Sequence, residues 1–235
     1  MNRRQALSAL TLPLLLGGCY YDTAALRFRL TLMLDTPDGI KSGTVVNFKR
    51  CQDVSIFGLI GGGCAPGTGE AVYVDLGKGE RPLLAIRTWG QDKKRNRLNW
   101  VECIPALHTL LRRFGVNEPP TDLMQQVRLL KQRQGQVLEL TPDDLPLLAT
   151  FEDVKDPSSI IAVDPDDLRA SLQQTVSWHR ITVEVTKDEV TRTIEKKLPW
   201  LPAYNGKFLD GTKGGRHVAG LSPLARNGAQ ILWSP

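Results

Sequence analysis

The stretch ALRFRLTLML, residues 25–34, alternates without a break. Leu26, Phe28, Leu30, Leu32 and Leu34 fall on one side of an extended chain, and Arg27, Arg29 and Thr31 fall on the other. Successive side chains of a strand point to opposite faces, so the segment reads as a half-buried antiparallel strand with a core on one side and water on the other. DTPDG at 35–39 supplies a turn, and SGTVVNFKR at 42–50 reads as the returning partner. A second hairpin is predicted from EAVYVDL, 70–76, and RPLLAIRTW, 81–89, joined by Gly77-Lys78-Gly79. The first half of the chain is therefore expected to form a β-meander.

From residue 99 the period changes. Pro105 suits the first turn of a helix, where its missing N–H costs nothing, and Leu107, Leu110, Leu111 and Phe114 follow at helical spacing up to Gly115. Thr121 is placed to cap a second helix with Leu123, Val127 and Leu130 as its buried stripe and Gly135 as its stop. Strand signals return at 136–140, 147–151 and 159–163, and most clearly in HRITVEV, 179–185. TPDD at 141–144 and DPDD at 164–167 each offer an N-cap residue, proline at the next position and two carboxylates near the helix dipole. Thr186 and Glu189 form a capping-box pattern before Val190, Ile194 and Leu198, and Pro199 ends that helix. The Gly- and Pro-rich residues 205–235 are expected to be irregular, with one closing strand at AQILW. The fold class is α+β, mainly antiparallel hairpins with two to four short helices, and residues 26–204 form the body.

The N-terminus carries a different message. Arg3 and Arg4 precede an uncharged segment whose apolar part, Ala6 to Leu16, is too short to cross a bilayer core of about 30 Å. A positive start, a short apolar run and then small residues describe a secretory signal. Leu16-Gly17-Gly18-Cys19 resembles the lipobox of bacterial lipoproteins. The resemblance implies cleavage between Gly18 and Cys19, a diacylglycerol on the Cys19 thiol and a further acyl chain, such as palmitate, on the new amino group. Two or three chains anchor stably where one holds only marginally. Residues 1–18 would then be a cleaved signal peptide and 19–25 a tether to the lipid surface. Arg3-Arg4 leaves both general and twin-arginine export open. Tyr20 stands where an aspartate would retain such a protein at the inner membrane, which favours the outer membrane. The expected location is thus the bacterial cell envelope, facing the periplasm, with the lipid bilayer as the first partner.

Composition bounds the partners. Without residues 1–18 the chain keeps 28 basic and 25 acidic residues, a balance of +3 that is too mild to imply nucleic acid. With 41% hydrophobic residues it can bury an ordinary core, as one domain or two small ones. Cys51, Cys64 and Cys103 remain beside Cys19, and in an oxidising periplasm one pair is expected. Cys51 with Cys64 is the first choice, because closing so short a loop stabilises by about 3 kcal/mol on the chain-entropy account. The alternative is three buried thiols acting as small hydrophobes.

Motifs for chemistry are sparse. SIFGLIGGGCAPGTGE, 55–70, is glycine-rich, but Gly62 and Gly67 are followed by Thr68-Gly69 where a phosphate-binding loop needs lysine and a hydroxyl residue. Its apolar Phe57, Leu59 and Ile60 make it a candidate interface loop toward the membrane or an envelope protein partner, unless they fold back on the sheet. His108, His179 and His217 belong to no catalytic signature, and Cys103 with His108 is the one thiol pair to consider. Asp153, Asp156, Asp164, Asp166 and Asp167 lack the order of a calcium loop, and Asp143 with Glu152 is a carboxylate pair of undefined separation. Lys207, Lys213, Arg216 and His217 form a basic segment that is either a solvated surface or a contact for anionic lipid. No catalytic residue, metal ligand or cofactor is expected.

RFRLTLMLDTPDGIKSG at 27–43, VDPDDL at 163–168 and ITVEVTKDEVTRTIEKKLPWL at 181–201 resemble a family of uncharacterised proteobacterial proteins. That resemblance spans both halves of the chain and implies no activity. The function expected is a non-catalytic binding or structural role at the envelope. The alternatives are a periplasm-facing hydrolase built from scattered residues and a component of a prophage or secretion apparatus.

Overall fold

A computed structural model describes residues 20–55, 63–65, 67–77, 79–87, 90–92, 97–99, 107–213 and 220–234. In chain order the strands are β1 Tyr20–Thr36, β2 Gly39–Ser55, β3 Gly63–Ala65, β4 Gly69–Glu70, β5 Val72–Val74, β6 Leu83–Ala85, β7 Gly90–Asp92 and β8 Arg97–Asn99. Helices α1 Leu107–Arg113 and α2 Leu123–Lys131 follow, then β9 Val137–Glu139, β10 Leu148–Phe151, β11 Ile160–Val163, α3 Leu168–Leu172, β12 Ser177–Thr186, α4 Ile194–Lys197 and β13 Trp233–Ser234. The fold is α+β and mainly antiparallel.

β1 and β2 form the long hairpin that the alternation predicts, in register from Tyr20↔Ser55 to Thr36↔Gly39. The even residues of β1 from Ala24 to Leu34 are buried, and the odd ones are partly or fully exposed. β12 lies on the other side of β1, pairing Arg27 with Thr186 through to Asp35 with Ser177, with one irregularity between Met33 and Leu34. β3 and β9 complete a five-stranded sheet in the order β3-β2-β1-β12-β9. Residues 20–25, expected to be a tether, are instead the first residues of β1, paired with Arg50–Ser55. The ladder to β2 continues past the point where the hydrophobic alternation begins, so those residues have backbone partners although their side chains show no strand pattern.

The second hairpin does not continue this sheet as a meander. β5 and β6 join β10 and β11 in a separate four-stranded sheet, ordered β11-β10-β6-β5. β5 approaches β2 at Gly43, where any side chain would run into the Tyr73 carbonyl. The second sheet has a core on each side of it: Leu83, Ala85, Leu148 and Val163 join the core under the first sheet, while Leu84, Ile86, Ala149, Phe151 and Ile160 join a second core, and only on the edge strand β11 does one of its residues, Ala162, stand exposed. Burial on both faces explains why LLAI and LLATF are continuous apolar runs rather than alternating ones. α1 and α2 fill the first core with Leu107, Leu110, Leu111, Met124, Val127 and Leu130.

The described residues of the C-terminal segment are irregular as expected, with short 3-10 turns, and in place of a strand over AQILW there is one at Trp233–Ser234, which pairs with β4. It is also core: Leu209, Leu224, Ala225, Ala229, Ile231 and Leu232 are each no more than 2% exposed and share the second core with Ile194, Leu198 and Leu201. The packing therefore continues across the boundary at 204.

Three local expectations are corrected. The cap of α2 is Asp122, not Thr121; its Oδ1 accepts from Gln125 N at 2.6 Å. In DPDD the helix cap is Asp167, which accepts from Ala170 N at 3.0 Å, while Asp164 closes a turn on Asp166 N. The capping-box helix from Thr186 is absent. Thr186 ends β12, residues 187–193 are irregular, and α4 is only Ile194–Lys197. Long-range partners override the local pattern: Thr191 N donates to Val46 O at 3.0 Å, and Val46 N donates to Thr191 Oγ1 at 2.7 Å.

Candidate functional site

Gly18, Cys19, Phe57, Leu59, Ile60, Cys103 and His217 lie outside the described residues. Cys51 is buried and disulfide-bonded, and the residue directly across the β2–β3 ladder from it is Cys64. His108 is exposed on α1. His179 Nδ1 lies 3.1 Å from Asp35 Oδ1 on an open surface. The acidic run is used locally: Asp153 and Asp156 accept from the backbone of Lys155 and Ser158, Asp144 pairs with Arg113, and Glu152 meets Arg81 at 3.3 Å. Among the described residues no group of three or more His, Cys, Asp or Glu could hold a metal ion.

The glycine-rich stretch resolves in part into a packing device. A side chain at Gly67 would overlap the Phe48 carbonyl, and this close approach lets Phe48 N donate to Thr68 O at 2.9 Å. The next residues carry a buried polar cluster. Glu70 is 1% exposed; its backbone bonds both ends of the Asn47 amide, and its carboxylate accepts from Thr193 N, Thr193 Oγ1 and Ile194 N. Arg87, also buried, donates to the carbonyls of Gly67 and Gln230. These side chains bind the two sheets, the C-terminal segment and the 187–193 crossing together, and every contact named is internal.

Among the described residues, a cleft of about 380 Å³ rimmed by basic side chains opens to solvent beside the N-terminal half of β1. It exists because two neighbouring strands differ in length. β12 ends at Thr186, opposite Arg27, while β1 runs back to Tyr20 with β2 as its ladder partner there. α2 is fixed nearby through its buried stripe and through the ion pair of Arg128 with Asp22. Ala25 and Phe48 give the cleft a partly exposed apolar side above the buried Leu26 and Val185, and Arg27, Lys131 and Lys187 bring positive charge, with Gln134 also lining it. Arg27 Nη1 donates to the carbonyls of Lys187 at 2.9 Å and Asp188 at 3.3 Å, so it orients the segment that carries Lys187. The adjoining acids are already matched, Asp188 and Glu184 by Arg29 and Asp22 by Arg128. Lys131 and Lys187, both exposed, form no ion pair among the described residues.

No family model matches the chain, and neither a curated protein nor a solved structure matches it. The fold and the cleft are therefore what a functional reading can use. Sequence reasoning missed the cleft because its cations are far apart in the chain and belong to no motif. The one trace was Arg27 on the polar side of the alternating strand.

Proposed function

We propose that the protein is a lipid-anchored protein of the bacterial envelope, facing the periplasm, with a binding or structural role that involves no catalysis. The observation that carries the reading is a juxtaposition: the lipobox-like Leu16-Gly17-Gly18-Cys19 abuts Tyr20, the first residue of β1. An acylated Cys19 would be joined to the central hairpin with no intervening linker. The cationic cleft, beside Ala25 to Arg27, then lies on the same strand, about 17 Å from Tyr20 at ~3.4 Å per residue. The outer membrane is favoured over the inner by Tyr20 at the second mature position, and an envelope protein partner remains part of the proposal through Phe57, Leu59 and Ile60. Among the described residues His179 meets a carboxylate at Asp35, on an open surface, which favours a binding role over a hydrolase built on that pair.

The test is metabolic labelling of cells with a palmitate analogue, followed by membrane fractionation of wild type and Cys19→Ser. Labelled wild type that sediments with the outer membrane, and an unlabelled variant that leaves the membrane fraction, is the expected result. An unlabelled wild type, or a Cys19→Ser protein equally membrane-bound, overturns the reading.

A further inference from the structure

We propose that the cleft beside Ala25–Arg27 binds the phosphate of an anionic phospholipid headgroup in the leaflet that carries the anchor. Its chemistry points to such a ligand. Lys131 and Lys187 approach from separate elements, the last residue of α2 and the residue after β12, and Arg27 stands on the strand between them. Three cations around one opening, with the neighbouring carboxylates held by Arg29 and Arg128, leave a local excess of positive charge. That excess calls for an anion. The partly exposed apolar side chains of Ala25 and Phe48 beside them call for something more than an inorganic ion. A phospholipid meets both demands: its phosphate lies at the cationic rim, and its glycerol and first methylenes lie against the apolar wall. The source of the ligand rests on the reading of Cys19 as the lipidated residue, since that places β1 at a bilayer surface. The cleft itself does not depend on it.

The experiment titrates the full chain, purified in detergent, with short-chain phosphatidylglycerol, short-chain phosphatidylcholine and inorganic phosphate, following the amide resonances of Gln134 and Thr186. The variants are Lys131→Gln/Lys187→Gln and a charge-matched control, Lys155→Gln/Lys196→Gln, at exposed lysines outside the cleft. Phosphatidylglycerol is expected to bind saturably and in preference to phosphatidylcholine. The cleft double variant should lose about 30-fold in affinity, from roughly fivefold per basic residue near an anionic lipid surface, and the control less than about twofold. Equal binding of the two lipids would make the cleft merely apolar and overturn the proposal. Inorganic phosphate competing as well as the lipid would make it a free-phosphate site and overturn it too. Equal losses in both double variants would reduce it to diffuse charge. The same titration on Cys19→Ser separates the two readings. Preserved lipid preference beside an unlabelled wild type in the palmitate experiment sinks the anchor alone, and lost preference beside a labelled wild type sinks the cleft alone.

Discussion

Replacing Glu70 by alanine should be among the most damaging single changes in this protein, and replacing it by glutamine among the milder ones. Glu70 Oε2 accepts from Thr193 N at 2.7 Å and Ile194 N at 2.9 Å, and Oε1 accepts from Thr193 Oγ1 at 2.8 Å. In Glu70→Ala the Ile194 N–H becomes a buried orphan, and the partly buried Thr193 N–H loses its acceptor. At about 1–3 kcal/mol for each unsatisfied donor, with Thr193 at the low end because water can reach it, the loss is about 4 kcal/mol. In Glu70→Gln the side-chain oxygen can keep both backbone donors, while the new amide donates to Thr193 Oγ1. Only charge assistance is lost, and relief of a buried charge offsets part of it, so the cost falls to about 1 kcal/mol. Urea unfolding followed by circular dichroism reads the difference. With a slope near 2.5 kcal/mol per molar, Glu70→Ala should lower the midpoint by about 1.6 M and Glu70→Gln by about 0.4 M, with the slope unchanged. Hydrogen exchange at Ile194 should lose protection in the alanine variant alone. Equal midpoints for wild type and Glu70→Ala would refute the assignment. Glutamine as harmful as alanine would show that the charge, not the acceptor geometry, holds residues 193–194.

Three further outcomes follow from the same contacts. A digest without reductant should yield one peptide joining Cys51 to Cys64, and breaking the bridge should cost about 3 kcal/mol by chemical denaturation; a link from Cys51 to Cys103 would refute the pairing. Burial first, and the Asp75 carboxylate second, push the Tyr73 phenol up to about 12. Its folded value lies above the unfolded one, so this contribution to stability is fully present below pH ~10 and is lost as pH rises from about 10 to 12. Phenolate absorbance should show one tyrosine titrating late, and Asp75→Asn should move it down only part of the way; a return to the ordinary tyrosine value would make burial the minor cause. Gly67→Ala should cost about 3 kcal/mol, because its Cβ must displace the Phe48 carbonyl or shift residue 67, whose own carbonyl accepts from Arg87; an unfolding midpoint like that of wild type would show that the 67–70 segment yields freely.

What could be read from the sequence, and what could not, follows from the range of the forces involved. β1 and β12 were legible because each has one wet face, and alternation records that directly in Leu26 to Leu34 and in Ile181, Val183 and Val185. The second sheet was legible as strands but not as a layer. LLAI does not reveal that Leu83 and Leu84 enter different cores, because a strand buried on both faces has no polar face to mark its orientation. The 187–193 segment misled for a third reason. Thr186 and Glu189 satisfy a helix-start pattern that spans four residues, whereas the bonds that win, to Val46 and Glu70, lie well over one hundred positions away.

The cleft lies at the far end of this series. Arg27 is legible as a polar-face residue of a strand, Lys131 as a helix-end cation and Lys187 as a turn residue, and each has an ordinary local explanation. They become one feature only because β12 stops at Thr186 while β1 continues to Tyr20. That mismatch could not be seen beforehand, since YYDTA carries no alternation and its strand character comes from the ladder to β2. The same hidden extension brings the sheet up to Cys19. A free tether would let the body turn in any direction above a bilayer. On the proposal that Cys19 carries the lipid, a strand that starts at the next residue would restrict the body, and the sheet's own geometry would set how close the rim of Arg27, Lys131 and Lys187 comes to the headgroups. Inserting a flexible Gly-Ser segment between Cys19 and Tyr20 should therefore leave the protein in the membrane fraction but lower the protection of Lys131 and Lys187 from amine-reactive labelling on vesicles. Unchanged protection would mean that the proposed contact of the cleft with lipid owes nothing to the absence of a linker between Cys19 and β1.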